Sequence, residues 1–264
     1  MIPQAYILEW QNEAPWQSDD QIEQDLIISR IIVELYNSDF LKNELLFRGG
    51  TALTKLFLDE PLRYSEDLAF VQRKSSAIGP IADKIKSIID PLLGKSKTVS
   101  AKDSFKILYN FNPESNAQNQ KRVKIEINTR KHFLVYPQLS LPYEVNSMWF
   151  SGECEVTIYE LDELASTKLR ALYQRKKGRD LFDLDVLLRK GLINEDRVLK
   201  SFHQYLDFQG LSISSNRFIA NLDEKLDDPI FIQDMDALII PSYRYDPIEA
   251  GENVKSLIRM LYMS

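Results

Sequence analysis

"LFRGGTALTKLFLDEPLRYSEDLAFVQ" spans Leu46 to Gln72, and its reading decides the fold. A strand-like run, Leu45 to Arg48, meets Gly49-Gly50. A helix-like run follows from Thr51 to Leu58. A second strand, Tyr64 to Gln72, then carries Asp67 and, two residues on, Ala69. Consecutive glycines let a backbone approach a ligand closely. The free N–H groups and dipole of a helix start favour a phosphate there, and Thr51 adds a hydroxyl. The same residues also suit a plain strand-to-helix turn.

Strand alternation sharpens the choice. Ser65, Asp67, Ala69 and Val71 share one face, and Glu66, Leu68 and Phe70 the other. Leu68 and Phe70 belong in a core, so Asp67 points the opposite way, towards the glycine turn. In "KRVKIEINTR" (121–130), Val123, Ile125 and Ile127 take one face and Lys124, Glu126 and Asn128 the other. Glu126 is either a site carboxylate or a solvent-facing residue on a half-exposed sheet.

Other elements are legible around this centre. Ser18-Asp19-Asp20-Gln21 has the form of a capping box with acids in the first turn, opening a helix to about Tyr36. "IGPIADKIKSIIDPLLG" is a helix stopped by Gly94. "SFKILYNF" (104–111) and "ECEVTIYE" (153–160) read as strands. "NPESNAQNQ" is a polar hairpin-type loop between the 104–111 and 121–130 strands. Beyond Asp162 the pattern is mainly helical. The expected organisation is a mixed α/β half, residues 1–160, and a helical half, 161–264, with no internal repeat.

The helical half raises its own question. In "LDELASTKLRALYQR", the residues Leu161, Leu164, Ala165, Leu169 and Leu172 form an apolar stripe, and Lys168 falls in the middle of it. Arg175 lies on nearly the same side. A lysine there either snorkels to water or needs an anionic partner, such as phosphate in a cleft between the halves. Asp180, at the edge of the next stripe, either caps its helix or orients a cation. "KLRALYQRKKGR", Lys168 to Arg179, holds six Lys/Arg in twelve residues.

Bulk properties bound the answer. The chain has 264 residues, 44% hydrophobic and 27% charged, as an ordinary globular protein does. A net charge of −6 argues against a broadly basic nucleic-acid coat, though not against a local patch. No apolar run has transmembrane length, and the N-terminus lacks the pattern of a secretory signal. Cys154 stands alone, which fits a reducing cytosol. With one Cys and two His, His132 and His203, a Cys/His zinc site is not expected. Carboxylate ligands would favour magnesium or manganese.

Together "FRGGTALTKLF…RYSEDLAF", "VKIEIN" and "TKLRALYQRKKGRDLFDL", in this order over roughly Leu46 to Leu188, resemble the AbiEii/AbiGii toxin family of nucleotidyltransferases. The resemblance implies an α+β minimal nucleotidyltransferase fold related to the polymerase-β-like enzymes, a mixed sheet with flanking helices, followed by a helical domain. It implies a toxin of a two-gene toxin–antitoxin or abortive-infection system. Such a toxin transfers nucleotide from NTP, in some relatives to the 3′ end of tRNA, and has an antitoxin partner.

It also implies roles. Gly49, Gly50, Thr51 and Ser65 would hold NTP phosphates. Asp67 would bind magnesium, and Glu126 would bind metal or activate the acceptor hydroxyl. Lys168 would hold phosphate, with Arg175, Arg179, Asp180 and Asp183 lining or supporting the cleft. Lys55 and Arg63 are weaker phosphate candidates. The family pattern S-x-D-x-D departs here to Ser65-Glu66-Asp67-Leu68-Ala69, and a methyl cannot ligate a metal. Either the copy is naturally degenerate, or the residue was changed to silence a toxin and the native residue is Asp. The chain as written is expected to be inactive or nearly so. A nucleotide- or RNA-binding protein without turnover and a plain protein-interaction module remain as other readings.

Overall fold

The computed structural model describes residues 2–116, 118–130 and 132–260. The chain divides into two compact units, Met1–Tyr159 and Glu160–Ser264. In the first, α1 (Gln4–Trp10), α2 (Asp19–Tyr36) and α3 (Asp39–Glu44) precede β1 (Leu45–Arg48), α4 (Gly49–Leu56), β2 (Asp67–Gln72) and α5 (Ile78–Leu93). β3 (Lys97–Ser100), β4 (Ser104–Phe111), β5 (Lys121–Asn128), β6 (Leu139–Asn146) and β7 (Ser151–Ile158) complete it. Among the described residues one mixed seven-stranded sheet forms, in the order β3-β4-β5-β2-β1-β7-β6. β2 runs parallel to β5 and β1 parallel to β7, and the other neighbours are antiparallel.

The core sits on one face of this sheet. Ile107, Ile125 and Leu68 lie side by side across β4, β5 and β2, as do Ile127, Phe70 and Phe47 across β5, β2 and β1. All are at most 1% exposed. Phe47 and Phe70 stack at 5.1 Å between ring centres, which adds to the burial of their area. α2 covers this face, and its buried Gln24 side chain donates to the carbonyls of Glu66 and Arg122. That ties the entries of β2 and β5 to one helix and satisfies backbone groups that would otherwise be buried unpaired.

The second unit is helical: α6 (Leu161–Gln174), α7 (Gly178–Arg189), α8 (Glu195–Phe208), α9 (Ser215–Leu226), α10 (Pro229–Gln233) and α11 (Pro247–Met260). Glu160 caps α6 by accepting from the N–H groups of Asp162 and Glu163. No described helix is long and apolar enough to cross a membrane.

Several local expectations are corrected. The Ser18 side chain makes no capping bond, and Gln21 accepts from the N–H of Gln17 instead. β2 starts at Asp67, so Ser65 lies in the preceding segment rather than on the strand. α4 starts at Gly49, two residues earlier than read. β3 and β6 escaped the sequence reading. Both are edge strands: β3 is exposed throughout, and β6 alternates apolar with other residues but contains Pro142, which an edge strand tolerates and which argues against a central one.

Candidate active site

The turn between β1 and α4 is built on Gly49 and Gly50. Gly49 has φ +88°, a left-handed conformation that a side chain resists. A Cβ on Gly49 would stand 3.1 Å from the Cβ of Ala69, so the start of α4 lies directly against position 69. Gly50 is required for a different reason. A Cβ there would meet the Arg63 guanidinium at 2.3 Å. Arg63 is buried and donates to the Tyr64 carbonyl at 3.0 Å. The close approach foreseen for a ligand at Gly50 is therefore taken on that side by an arginine of the same chain.

Thr51 and Ser65 were read as phosphate contacts, but the Thr51 hydroxyl is buried and turned inward. It donates to the Asp67 carbonyl at 2.5 Å and lies 2.8 Å from the Ser65 hydroxyl. A hydroxyl has one proton, and this one is committed to fastening α4 to the first residue of β2. Lys55 is also engaged within the chain. Its ammonium is 2.5 Å from Asp25, which is 2% exposed and also accepts from the Trp10 indole at 2.9 Å. Burial pulls the Lys55 pKa down, but the Asp25 charge and hydrogen bond outweigh it and leave the pKa raised. Lys55 anchors α4 to α2 rather than reaching the turn.

Asp67 and Glu126 are brought together. The β2–β5 register sets Asp67 beside Lys124 and Ala69 beside Glu126. Lys124 Nζ lies 2.8 Å from Asp67 Oδ2 and 3.5 Å from Glu126 Oε2, so one ammonium joins both carboxylates. Lys106 approaches Glu126 from β4 at 3.5 Å. All four side chains are about one-third exposed, 30–33%. Burial acts to lower the Lys124 pKa. Hydrogen bonds and charge from Asp67 and Glu126 exceed it, so the ammonium is held above its ordinary value. Lys124 was placed on the correct face from sequence but given no role. Its spacing of two from Glu126 was the available signal.

As a ligand set for magnesium or manganese, these residues fall short. Position 69 offers a methyl, and both carboxylates already accept from lysines. Among the described residues no three His, Cys, Asp or Glu side chains are grouped to hold a metal ion. Magnesium is ordinarily held by one or two carboxylates together with water and substrate phosphates, but here an ammonium already lies between the two carboxylates and would have to be displaced.

In the helical unit, Lys168 is 5% exposed, which excludes snorkelling. Its ammonium lies 2.5 Å from Asp183 and 3.4 Å from Asp180. Asp180 is fully buried and accepts two bonds from Arg175, at 2.6 and 2.9 Å. Those bonds, more than the charges of Asp180 and Asp183, raise the Arg175 pKa against desolvation. The anionic partners that the stripe lysine requires are thus carboxylates of α7, and Asp180 orients cations rather than capping its helix. The basic stretch is largely neutralised within its own unit: Lys176 pairs with Asp228, and Lys177 with Asp234 at 3.4 Å. The Arg179 side chain has no carboxylate partner among the described residues, although its backbone N–H donates to Asp234.

The model of a protein family described as nucleotidyl transferase AbiEii toxin, type IV toxin–antitoxin system, matches residues 30–253. No curated protein matches the chain in sequence. Among solved structures, the chain is similar to MenT4, a nucleotidyltransferase toxin from Mycobacterium tuberculosis H37Rv. That likeness has a TM-score of 0.66 at 16% identity, covering 100% of this chain and 91% of that one. It is also similar to JHP933 from Helicobacter pylori, with a TM-score of 0.59 at 19% identity and 93% of each chain covered. At such identities these structures speak for the fold: a mixed sheet with flanking helices.

Proposed function

The chain belongs to the AbiEii nucleotidyl transferase toxin family, and we propose that it engages a nucleoside triphosphate on the sheet face bearing Asp67 and Glu126. By family it is a nucleotidyltransferase and a toxin of a toxin–antitoxin system. One observation carries the reading of the site. The glycine turn lies against Ala69, Ala69 stands opposite Glu126, and Glu126 shares a lysine with Asp67. A triphosphate at the start of α4 would be beside both carboxylates, where N–H groups and the helix dipole favour it.

With a methyl at 69, the chain as it stands transfers nucleotide slowly or not at all. Phosphoryl transfer rests mainly on positioning and on neutralising charge at the transferring group. A nucleotide- or RNA-binding role without turnover is the second reading, supported by the engagement of both carboxylates with Lys124 and Lys106. The acceptor in the active form is an RNA, with the tRNA 3′ end the first to try. Arg179, unlike its paired neighbours, is the cation of the basic stretch left to meet RNA phosphate. The partner is an antitoxin protein, and the setting is the cytoplasm, where Cys154 stays reduced.

The test is transfer of labelled NTP to total RNA and to tRNA, with magnesium or manganese, by the chain and by its Ala69→Asp variant. Label should appear with Ala69→Asp and be reduced by orders of magnitude without it. Equal rates from the two proteins would overturn the assigned importance of residue 69. Nucleotide binding with no transfer by either protein would leave the second reading in place.

A further inference from the structure

The sheet face that holds Asp67 and Glu126 carries more positive than negative groups. Lys106, Glu126, Ala69 and Arg48 stand side by side on β4, β5, β2 and β1. Lys124 and Asp67 form the adjacent row. Residues directly opposite in a ladder share a face, so three cations stand there with two carboxylates. Lys106 is paired to Glu126, and Lys124 to both acids. Arg48 is half-buried, stands opposite the Ala69 methyl and has no carboxylate partner among the described residues. The start of α4 lies over the same row, with Gly49 against Ala69.

We propose that the Lys124 ammonium, held between Asp67 and Glu126, stands in for a divalent cation in this chain, so that a nucleoside triphosphate binds through Lys124 and Arg48 without added metal. The proposal rests on the nucleotide reading above and assigns the charge chemistry of that site. An entering divalent cation must displace the Lys124 ammonium from both carboxylates and finds a methyl at position 69. It must also do so beside two other cations. A triphosphate meets the opposite situation: an excess positive charge, a guanidinium with its fork of donors available, and a helix start. A carboxylate at 69 would reverse this, because it would stand next to both Arg48 and Glu126. It would occupy the arginine and supply the missing ligand. Residue 69 therefore selects between a face that takes the triphosphate directly and one that takes it with a metal.

The experiment is binding of each of the four ribonucleoside triphosphates to the full chain by calorimetry, once in EDTA and once in excess magnesium chloride. At least one should bind with affinities in the two conditions that agree within about threefold. Lys124→Met and Arg48→Met should each weaken binding in EDTA by about tenfold or more, the effect of losing a charged hydrogen bond. Their thermal unfolding should stay near that of the parent. Ala69→Asp should bind poorly in EDTA and regain affinity with magnesium. Manganese resonance spectra should show free ion with the parent chain and bound ion with Ala69→Asp. Binding by the parent chain that vanishes in EDTA would overturn the role of Lys124 while leaving the nucleotide reading intact. Unchanged binding by Lys124→Met would do the same. Binding in neither condition would overturn both.

Discussion

Replacing Lys168 by alanine should cost the helical unit much of its stability, whatever it does to nucleotide handling. Lys168 is 5% exposed, and its partners Asp183 and Asp180 are 3% and 0% exposed. Asp180 keeps the two bonds from Arg175, but Asp183 loses an ammonium at 2.5 Å. Removing one partner of a buried ion pair costs about 3–5 kcal/mol, against about 0–1 kcal/mol for an exposed pair. Lys168→Met with Asp183→Asn removes both charges together and should recover most of the loss, because no buried charge is left without its counter-charge from this pair. Urea unfolding followed by far-ultraviolet circular dichroism measures this. The three tryptophans, Trp10, Trp16 and Trp149, all lie before residue 160. Their fluorescence follows the sheet unit alone, and comparison of the two signals assigns the change to its unit. A loss below about 1 kcal/mol for Lys168→Ala, or a double variant no better than the single one, would refute the buried-pair argument. An activity defect in Lys168→Ala can be assigned to chemistry only once its folded fraction is known.

Other outcomes follow from local geometry. Gly49→Ala should cost about 1–2 kcal/mol for its left-handed backbone, with further cost because its Cβ would crowd that of Ala69 at 3.1 Å. Gly50→Ala should cost about 1–3 kcal/mol, because the buried Arg63 guanidinium must give way. Denaturation midpoints check both, and a neutral Gly50→Ala would show that Arg63 moves freely. Burial, opposed by Lys42 and aided by Glu155, pushes the Cys154 thiol up to about 12. The native chain should therefore react slowly with a disulfide reagent at pH 8 and rapidly in denaturant. The folded thiol keeps a proton that the unfolded one releases near pH 8.5. Its contribution to stability is thus full below that pH and falls as pH rises towards 12. Fast native labelling would contradict the burial.

Much of the sheet was legible because its core strands alternate cleanly. Val123, Ile125 and Ile127 are each fully buried, and the opposite residues of β5 are not. β1 spans Leu45–Arg48 and Gly94 ends α5, both as expected. What escaped was what local pattern does not encode. β3 is exposed throughout and shows no period, and β6 alternates but is interrupted by Pro142. α1 and α3 are 7 and 6 residues long, too short for an apolar stripe to declare itself. Thr51 and Lys55 have the composition of a phosphate site. Their contacts with the Asp67 carbonyl and with Asp25 depend on how α4 packs, which no window of sequence contains.

The candidate site divides along the same line. Alternation puts Asp67 and Glu126 on polar faces, but only the parallel pairing of β2 with β5, strands some fifty residues apart, sets Ala69 opposite Glu126 and Lys124 beside Asp67. A shift of that register by one residue would send Glu126 into the core and Ile125 or Ile127 out of it, which the buried ladder of Leu68, Ile125 and Ile107 forbids. The apolar face thus fixes the charges on the polar face. Once the register is fixed, the balance turns on residue 69. With alanine, Arg48, Lys106 and Lys124 outnumber two acids; with aspartate, the count is even and Arg48 gains a partner. One methyl in place of one carboxylate therefore changes more than a ligand: it leaves a net positive charge for an incoming triphosphate, which a carboxylate would cancel.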